Sequence, residues 1–270
     1  MTVHVTPVTL PTLQWGEPDA PRTVLLLHGL TSAAGTWWRV ADSLAATGVR
    51  VVAADLRGHG RAPRTLSYPI AGFAADVLQL HPAPGAPWDA VVGHSLGGAT
   101  AAAALGTLGD AASTWARSAV LVDPALRRLE PASEALLAGM SAEAEDPDAA
   151  RIASENPDWH AEDVHQKVVA ARLISKDTVR RVLSDPWDES PAIAGTGIPV
   201  TLLGADATAP DLALTPALGA ELAANPRVTY EEVVGAHHSI HRTHPDVVVA
   251  AVVAALAALP ARSPSPSPSA

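Results

Sequence analysis

The chain has 270 residues, 48% of them hydrophobic, enough for one large core with room for an inserted segment. It contains no cysteine, which excludes disulfides, a thiolate nucleophile and cysteine-held metals. A formal charge of −10 leaves no basic footprint for nucleic acid, and the pairs Arg127-Arg128 and Arg180-Arg181 read as solvated helix faces.

The first residues lack the basic-then-apolar order of a signal peptide, and no run of 18 uncharged apolar residues follows. A soluble, cytoplasmic protein without a membrane partner is expected. Short β-branched or Leu-rich runs bounded by turn residues then predict strands over 24–27, 49–53, 90–92, 119–122, 199–203 and 228–233. Helical patterns over 37–47, 70–80 and 96–108 lie between them. This alternation predicts an α/β fold, a doubly wound and mostly parallel sheet with helices on both faces.

The alternation stops between residues 124 and 196, which carry helical patterns near 131–144, 146–155, 161–173 and 177–183 and no convincing strand. So long a stretch exceeds a simple crossover. It is expected to be a helical lid inserted into a core made of 1–123 and 197–260. An Ala/Val-rich helix is expected over 245–259, with Pro245 in its first turn. The Ser/Pro tail, 261–270, cannot bury apolar surface and is expected to be disordered.

Three segments carry chemistry. In Trp88-Asp-Ala-Val-Val-Gly-His-Ser-Leu-Gly-Gly-Ala, a strand enters a tight turn flanked by Gly93 and Gly97 and leaves as a helix. That geometry exposes the Ser95 hydroxyl above the sheet edge as a nucleophile and puts the Leu96 N–H at a helix N-terminus, where a developing oxyanion is favoured. In Val24-Leu-Leu-Leu-His-Gly-Leu-Thr-Ser, a buried strand runs into a loop whose Leu30 N–H supplies a second donor; the His28 side chain reads as structural. In Val233-Val-Gly-Ala-His-His-Ser-Ile-His-Arg-Thr-His, four histidines follow a strand. A serine nucleophile needs one loop imidazole as base. His238 is the choice, His237 the alternative, and His241 and His244 are supporting or surface residues. No accompanying carboxylate or histidine stands at metal-binding spacing, so neither a metal nor another cofactor is expected.

Together with Ala54-Asp55-Leu-Arg-Gly58-His59-Gly60 and Leu121-Val-Asp-Pro, these segments resemble the α/β-hydrolase superfamily in its lid-bearing branch of small esterases, lactonases and carbon–carbon hydrolases. The resemblance spans about 23–259. It implies the chain order nucleophile, acid, histidine, so the acid lies at a strand end between Ser95 and His238. Asp206, after Thr201-Leu-Leu-Gly-Ala, is preferred. Asp123, after Val120-Leu-Val, and Asp211, deeper in the Asp206 loop, are the alternatives. Two departures from the pattern are His237, where the family has Gly, and Gly-Ala-Asp-Ala after Leu203 in place of Gly-x-x-Asp. Asp55 is expected to shape its loop.

Trp37 and Trp38 follow the Leu30 loop, and Trp159 and Trp187 fall in the lid; all four are candidates to line a substrate chamber. Leu136, Leu137 and Met140 are lid-interior candidates, and Arg39, Arg57 and Arg61 are within reach of the pocket rim. The expected activity is hydrolysis of a carboxylic ester or lactone of a mostly apolar small molecule through an acyl-enzyme on Ser95, by a monomer or homodimer. The alternatives are carbon–carbon bond hydrolysis and non-catalytic binding of a small molecule in the same pocket.

Overall fold

A computed structural model describes residues 6–260. Nine strands form among the described residues: β1 Thr12–Trp15, β2 Arg22–Leu27, β3 Val49–Ala54, β4 Ala90–His94, β5 Ala119–Val122, β6 Arg127–Arg128, β7 Trp187–Asp188, β8 Val200–Gly204 and β9 Val228–Glu232. Seven make one sheet in the order β1-β3-β2-β4-β5-β8-β9, and β6 pairs with β7 separately. All pairings within the large sheet are parallel except that of β1 with β3.

The strand runs are apolar on both faces because both are covered. Leu25, Leu27, Val91 and Leu121 pack in the cluster of α2 (Ile70–Val77) and α3 (Leu96–Leu108). Their neighbours Val24, Leu26, Val92 and Val120 pack against α1 (Trp38–Ala45) and α11 (Pro245–Ala257). That alternation is the period-two geometry of a strand, applied to a sheet with a helix layer on each side. The six expected strands form; β1, only four residues long, and the two-residue β6 and β7 within 124–196 lie outside the expected runs.

Between β5 and β8 lie α4 (Glu134–Glu145), α5 (Ala149–Glu155), α6 (Ala161–Arg172), α7 (Lys176–Ser184) and α8 (Ser190–Ala194). The first four are short and each starts at a side-chain cap: Ser133 accepts from the Leu136 N–H, Asp148 from Ala150 and Arg151, His160 from Glu162, and Ser175 from Thr178. Such caps are each worth about 1 kcal/mol and fix where a marginal helix begins. Ile152, Val164 and Val168 join α5 to α6, with Trp159 against them. Ile174, Val179 and Leu183 meet Leu137, Met140, Trp187 and Leu30. Leu136 is exposed rather than interior. Helices α9 (Pro216–Leu222) and α10 (Ile240–Thr243) complete the core. No helix among the described residues is long and apolar enough to cross a membrane. The Ser/Pro tail, 261–270, lies outside the described residues.

Candidate active site

Ser95 stands between the last residue of β4 and the first of α3 with φ 51° and ψ −115°. A non-glycine residue there costs about 1–3 kcal/mol and persists only when its surroundings hold it. Here they do. The Ser95 N–H donates to the Val122 carbonyl at 3.2 Å, and its own carbonyl accepts from Ala99 (3.0 Å) and Ala125 (3.1 Å). Close approach of α3 to the Leu30 loop requires glycine at position 97, where a Cβ would lie 2.2 Å from the Leu27 carbonyl oxygen.

His238 is held from two sides. Its Nδ1 lies 2.5 Å from Asp123 Oδ2, and its carbonyl oxygen accepts from His94 Nε2 at 3.0 Å. The rings of His94 and His238 are 4.6 Å apart. Since Ser95 is bonded to Val122, Asp123 to His238, and His238 to the residue before Ser95, the three side chains occupy one corner of the sheet's carboxyl edge. With Nδ1 engaged by a carboxylate, Nε2 is the nitrogen left to exchange a proton.

The aspartate bonded to His238 is Asp123, the alternative, and not the preferred Asp206. Asp123 is fully buried at the end of β5 with φ 37°. Besides His238, its carboxylate accepts the N–H groups of Ala213 (Oδ2, 2.9 Å) and Leu214 (Oδ1, 2.9 Å). These donors satisfy the buried charge and aim Oδ2 at the ring. Asp206 instead closes its own turn, accepting from the Thr208 hydroxyl (2.6 Å) and N–H (2.8 Å), and reaches across to the Gly235 N–H (2.7 Å) in the loop before His238. Those donors, the Thr208 hydroxyl foremost, lower its pKa to about 2. Asp211 meets His237 Nδ1 at 3.2 Å, with both side chains exposed.

His28 has the structural place expected of it. Its Nε2 accepts the Leu56 N–H at 3.0 Å, so Nδ1 carries the proton and donates to the Gly29 carbonyl at 2.8 Å. Burial lowers its pKa to about 4. Asp55 likewise shapes its loop, accepting from the N–H groups of Ala34 and Arg61. Leu96 begins α3, and Leu30 is half-buried against the apolar side chains of α4 and α7.

The four tryptophans separate. Trp37 is fully buried in the core and tilted on His241 at 4.7 Å, so it does not line a chamber. It follows the helical period that points into the α1 face. Trp38 donates from Nε1 to Asp163 Oδ1 at 2.9 Å. Trp159 lies under the Arg242 guanidinium at 4.1 Å. Trp187 donates to the Ala125 carbonyl at 2.7 Å and packs beside Leu30 in the cluster of α4 and α7. Arg57 is not at a rim either; it is buried in a two-bond pair with Asp76 (2.6 and 2.7 Å).

Sequence reasoning passed over His94, Lys167 and Arg242. Lys167 reaches from α6 to the Thr31 hydroxyl at 2.7 Å and also pairs with Glu143, tying α4 and α6 to the Leu30 loop. His94 and His241 both have pKa values well below the usual imidazole value, chiefly through burial and next through neighbouring cationic or imidazole groups. Position 94 was visible as the His of Gly-His-Ser; the partners of Lys167 and Arg242 were not.

Residues 24–251 match the model of the alpha/beta hydrolase family, and the chain belongs to that family. It is similar to the lipase LipV of Mycobacterium tuberculosis, 33% identical over 160 residues that make up 58% of either protein. Its fold is similar to those of the esterase RhEst1 from a Rhodococcus species (TM-score 0.74, 19% identity, 96% of this chain and 100% of that one) and a bromoperoxidase from Bacillus anthracis (0.74, 17%, 93% and 96%). The chain aligns with 28–58% of the length of the curated relatives it matches.

Proposed function

We propose that the protein is a serine hydrolase that cleaves a carboxylic ester or lactone of a small molecule through an acyl-enzyme on Ser95. The observation that carries this reading is the Asp123–His238 bond beside the strained Ser95 turn. His238 Nε2 takes the hydroxyl proton as Ser95 attacks the carbonyl, then gives it to the leaving oxygen. Asp123 orients the ring and stabilises the imidazolium without becoming protonated. The tetrahedral oxyanion is received by the N–H groups of Leu30 and Leu96, the latter at the positive end of α3. Water repeats the cycle on the acyl-enzyme and releases the acid.

Residues 124–196 are read as the lid. The apolar side chains of Leu137, Met140, Ile174, Leu183 and Trp187 gather against Leu30, which supports an apolar roof beside the reacting carbonyl. Treatment of the folded protein with a fluorophosphonate followed by mass spectrometry tests the reading. A single adduct on Ser95, absent from Ser95→Ala, is expected. An unmodified Ser95 overturns it.

A further inference from the structure

Thr31 directly follows the proposed oxyanion donor Leu30 and stands at φ 56°. A β-branched side chain is a genuine outlier there, and it persists only when its surroundings over-determine the backbone. Lys167 of α6, in the segment inserted between β5 and β8, supplies that hold. Its ammonium donates to the Thr31 hydroxyl at 2.7 Å and to the Thr31 carbonyl at 3.3 Å. Thr31 is 1% exposed and the Lys167 side chain 12%. Glu143 of α4 pairs with the same ammonium and opposes the lowering of its pKa that burial causes.

The loop is confined on its other side by the elbow. A Cβ at Gly29 would lie 2.8 Å from His94 Nδ1 and 3.1 Å from Ser95 Cβ, so the backbone before Leu30 rests against the residues of the turn itself. His28 fixes the start of the loop to the core through the Leu56 N–H, and the Leu30 side chain meets the apolar cluster of α4 and α7. The Leu30 N–H is therefore held between a residue bonded to the core and a residue bonded to α6. An oxyanion donor works only when it stands about 3 Å from the place the charged oxygen takes, so a small rotation at Thr31 is enough to spoil it.

We propose that Lys167 is a positioning residue of the oxyanion hole: its ammonium holds Thr31 in the left-handed conformation that aims the Leu30 N–H at the reacting carbonyl oxygen. The donor is then set by the docking of α6 on the core, and the inserted helices take part in the rate as well as in the choice of substrate. This inference rests on the ester-hydrolysis reading and adds to it a residue outside the set of Ser95, His238 and Asp123. A donor out of line weakens binding of the transition state and leaves the ground-state ester little changed, so the loss falls on kcat.

The test is Lys167→Met, which keeps the apolar stem and removes the ammonium. It is assayed with p-nitrophenyl butyrate and with the trifluoromethyl ketone of the same acyl chain, whose tetrahedral adduct carries an oxyanion. A fall in kcat of about tenfold or more is expected, with KM within about threefold of wild type and the ketone Ki raised by the factor that kcat/KM loses. A smaller fall in kcat, a loss carried by KM, or a ketone Ki that does not move overturns the role; a lysine that only moored the helices gives that pattern, with a lowered Tm. Should Lys167→Met not fold, Thr31→Val decides, since it removes the shorter of the two bonds and keeps the branched shape. The same shift in kcat and Ki is then expected at about threefold or more, and a smaller shift overturns the role. Failure of the hydrolase reading is seen on wild type instead, as no turnover and no fluorophosphonate adduct on Ser95, and the positioning role then falls with it.

Discussion

The backbone carbonyl of His238 accepts a hydrogen bond from the side chain of His94, the residue immediately before the proposed nucleophile. The proposed base and nucleophile therefore share a splint, and the distance between them does not depend on the His238 loop alone. Burial holds the His94 pKa well below the usual imidazole value, so near neutral pH the ring is neutral and donates as its Nε2–H tautomer. His94→Phe, which keeps ring bulk and removes the donor, is expected to lower kcat for a p-nitrophenyl ester by about tenfold with little change in KM, since misplacement of a catalytic group costs rate. A kcat within twofold of wild type would sink the splint.

Asp123 and Asp206 are separated by one pair of variants. Asp123→Asn keeps the shape but reverses the demand on His238 Nδ1, and kcat is expected to fall by about 10³–10⁴. Asp206→Asn keeps an acceptor oxygen towards Thr208 or Gly235 and leaves the Asp123–His238 bond untouched, so kcat/KM should stay within about threefold, the range of surface substitutions. Steady-state kinetics on one chromogenic ester suffices, and the reverse pattern would restore Asp206 as the acid.

Burial of Arg57 and Asp76 against each other makes that pair a stability determinant away from the chemistry. Asp76→Ala strands the guanidinium and should destabilise by about 3–5 kcal/mol in urea unfolding. Arg57→Met combined with Asp76→Leu should recover much of that loss. A single variant as stable as wild type contradicts the burial of the pair.

Two enclosed histidines impose an acid limit on the fold. Burial, the largest cause in each, lowers the pKa of His28 from 6.5 to about 4 and that of His59 to about 3. In the unfolded chain both take protons near 6.5, whereas the fold resists them. Their stabilisation is thus complete above pH 6.5 and is lost as pH falls from there towards the folded values. The urea midpoint should drop between pH 7 and pH 5, before most carboxylates titrate. Identical midpoints at the two pH values would refute the coupling.

The elbow was legible because its signals are local: glycines flanking Ser95, a β-branched run before it and an alanine-rich run after it. The strands were legible for a related reason, since burial on both faces leaves continuous apolar runs. The acid was not. Asp123 and Asp206 each end a strand between Ser95 and His238, and what separates them is the direction of a carboxylate set by Ala213 and Leu214, about ninety residues beyond Asp123. No spacing in the sequence records that contact. Trp37 was misplaced for a similar reason, because proximity to the Leu30 loop along the chain does not tell which way a helical turn faces. Arg242 escaped notice since its neighbours Trp159 and Asp163 come from the inserted helices.

The short ribbon of β6 and β7 brings both ends of that insertion together, and Trp187 bonds to Ala125 at its base. The helices between therefore hang from a closed neck, as a purse hangs from its drawstring. They are also moored to the core, by Lys167 to Thr31 and by Trp38 to Asp163. A change of packing among these helices is therefore transmitted to Leu30 through the apolar cluster of Ile174, Val179 and Leu183 as well as through the neck.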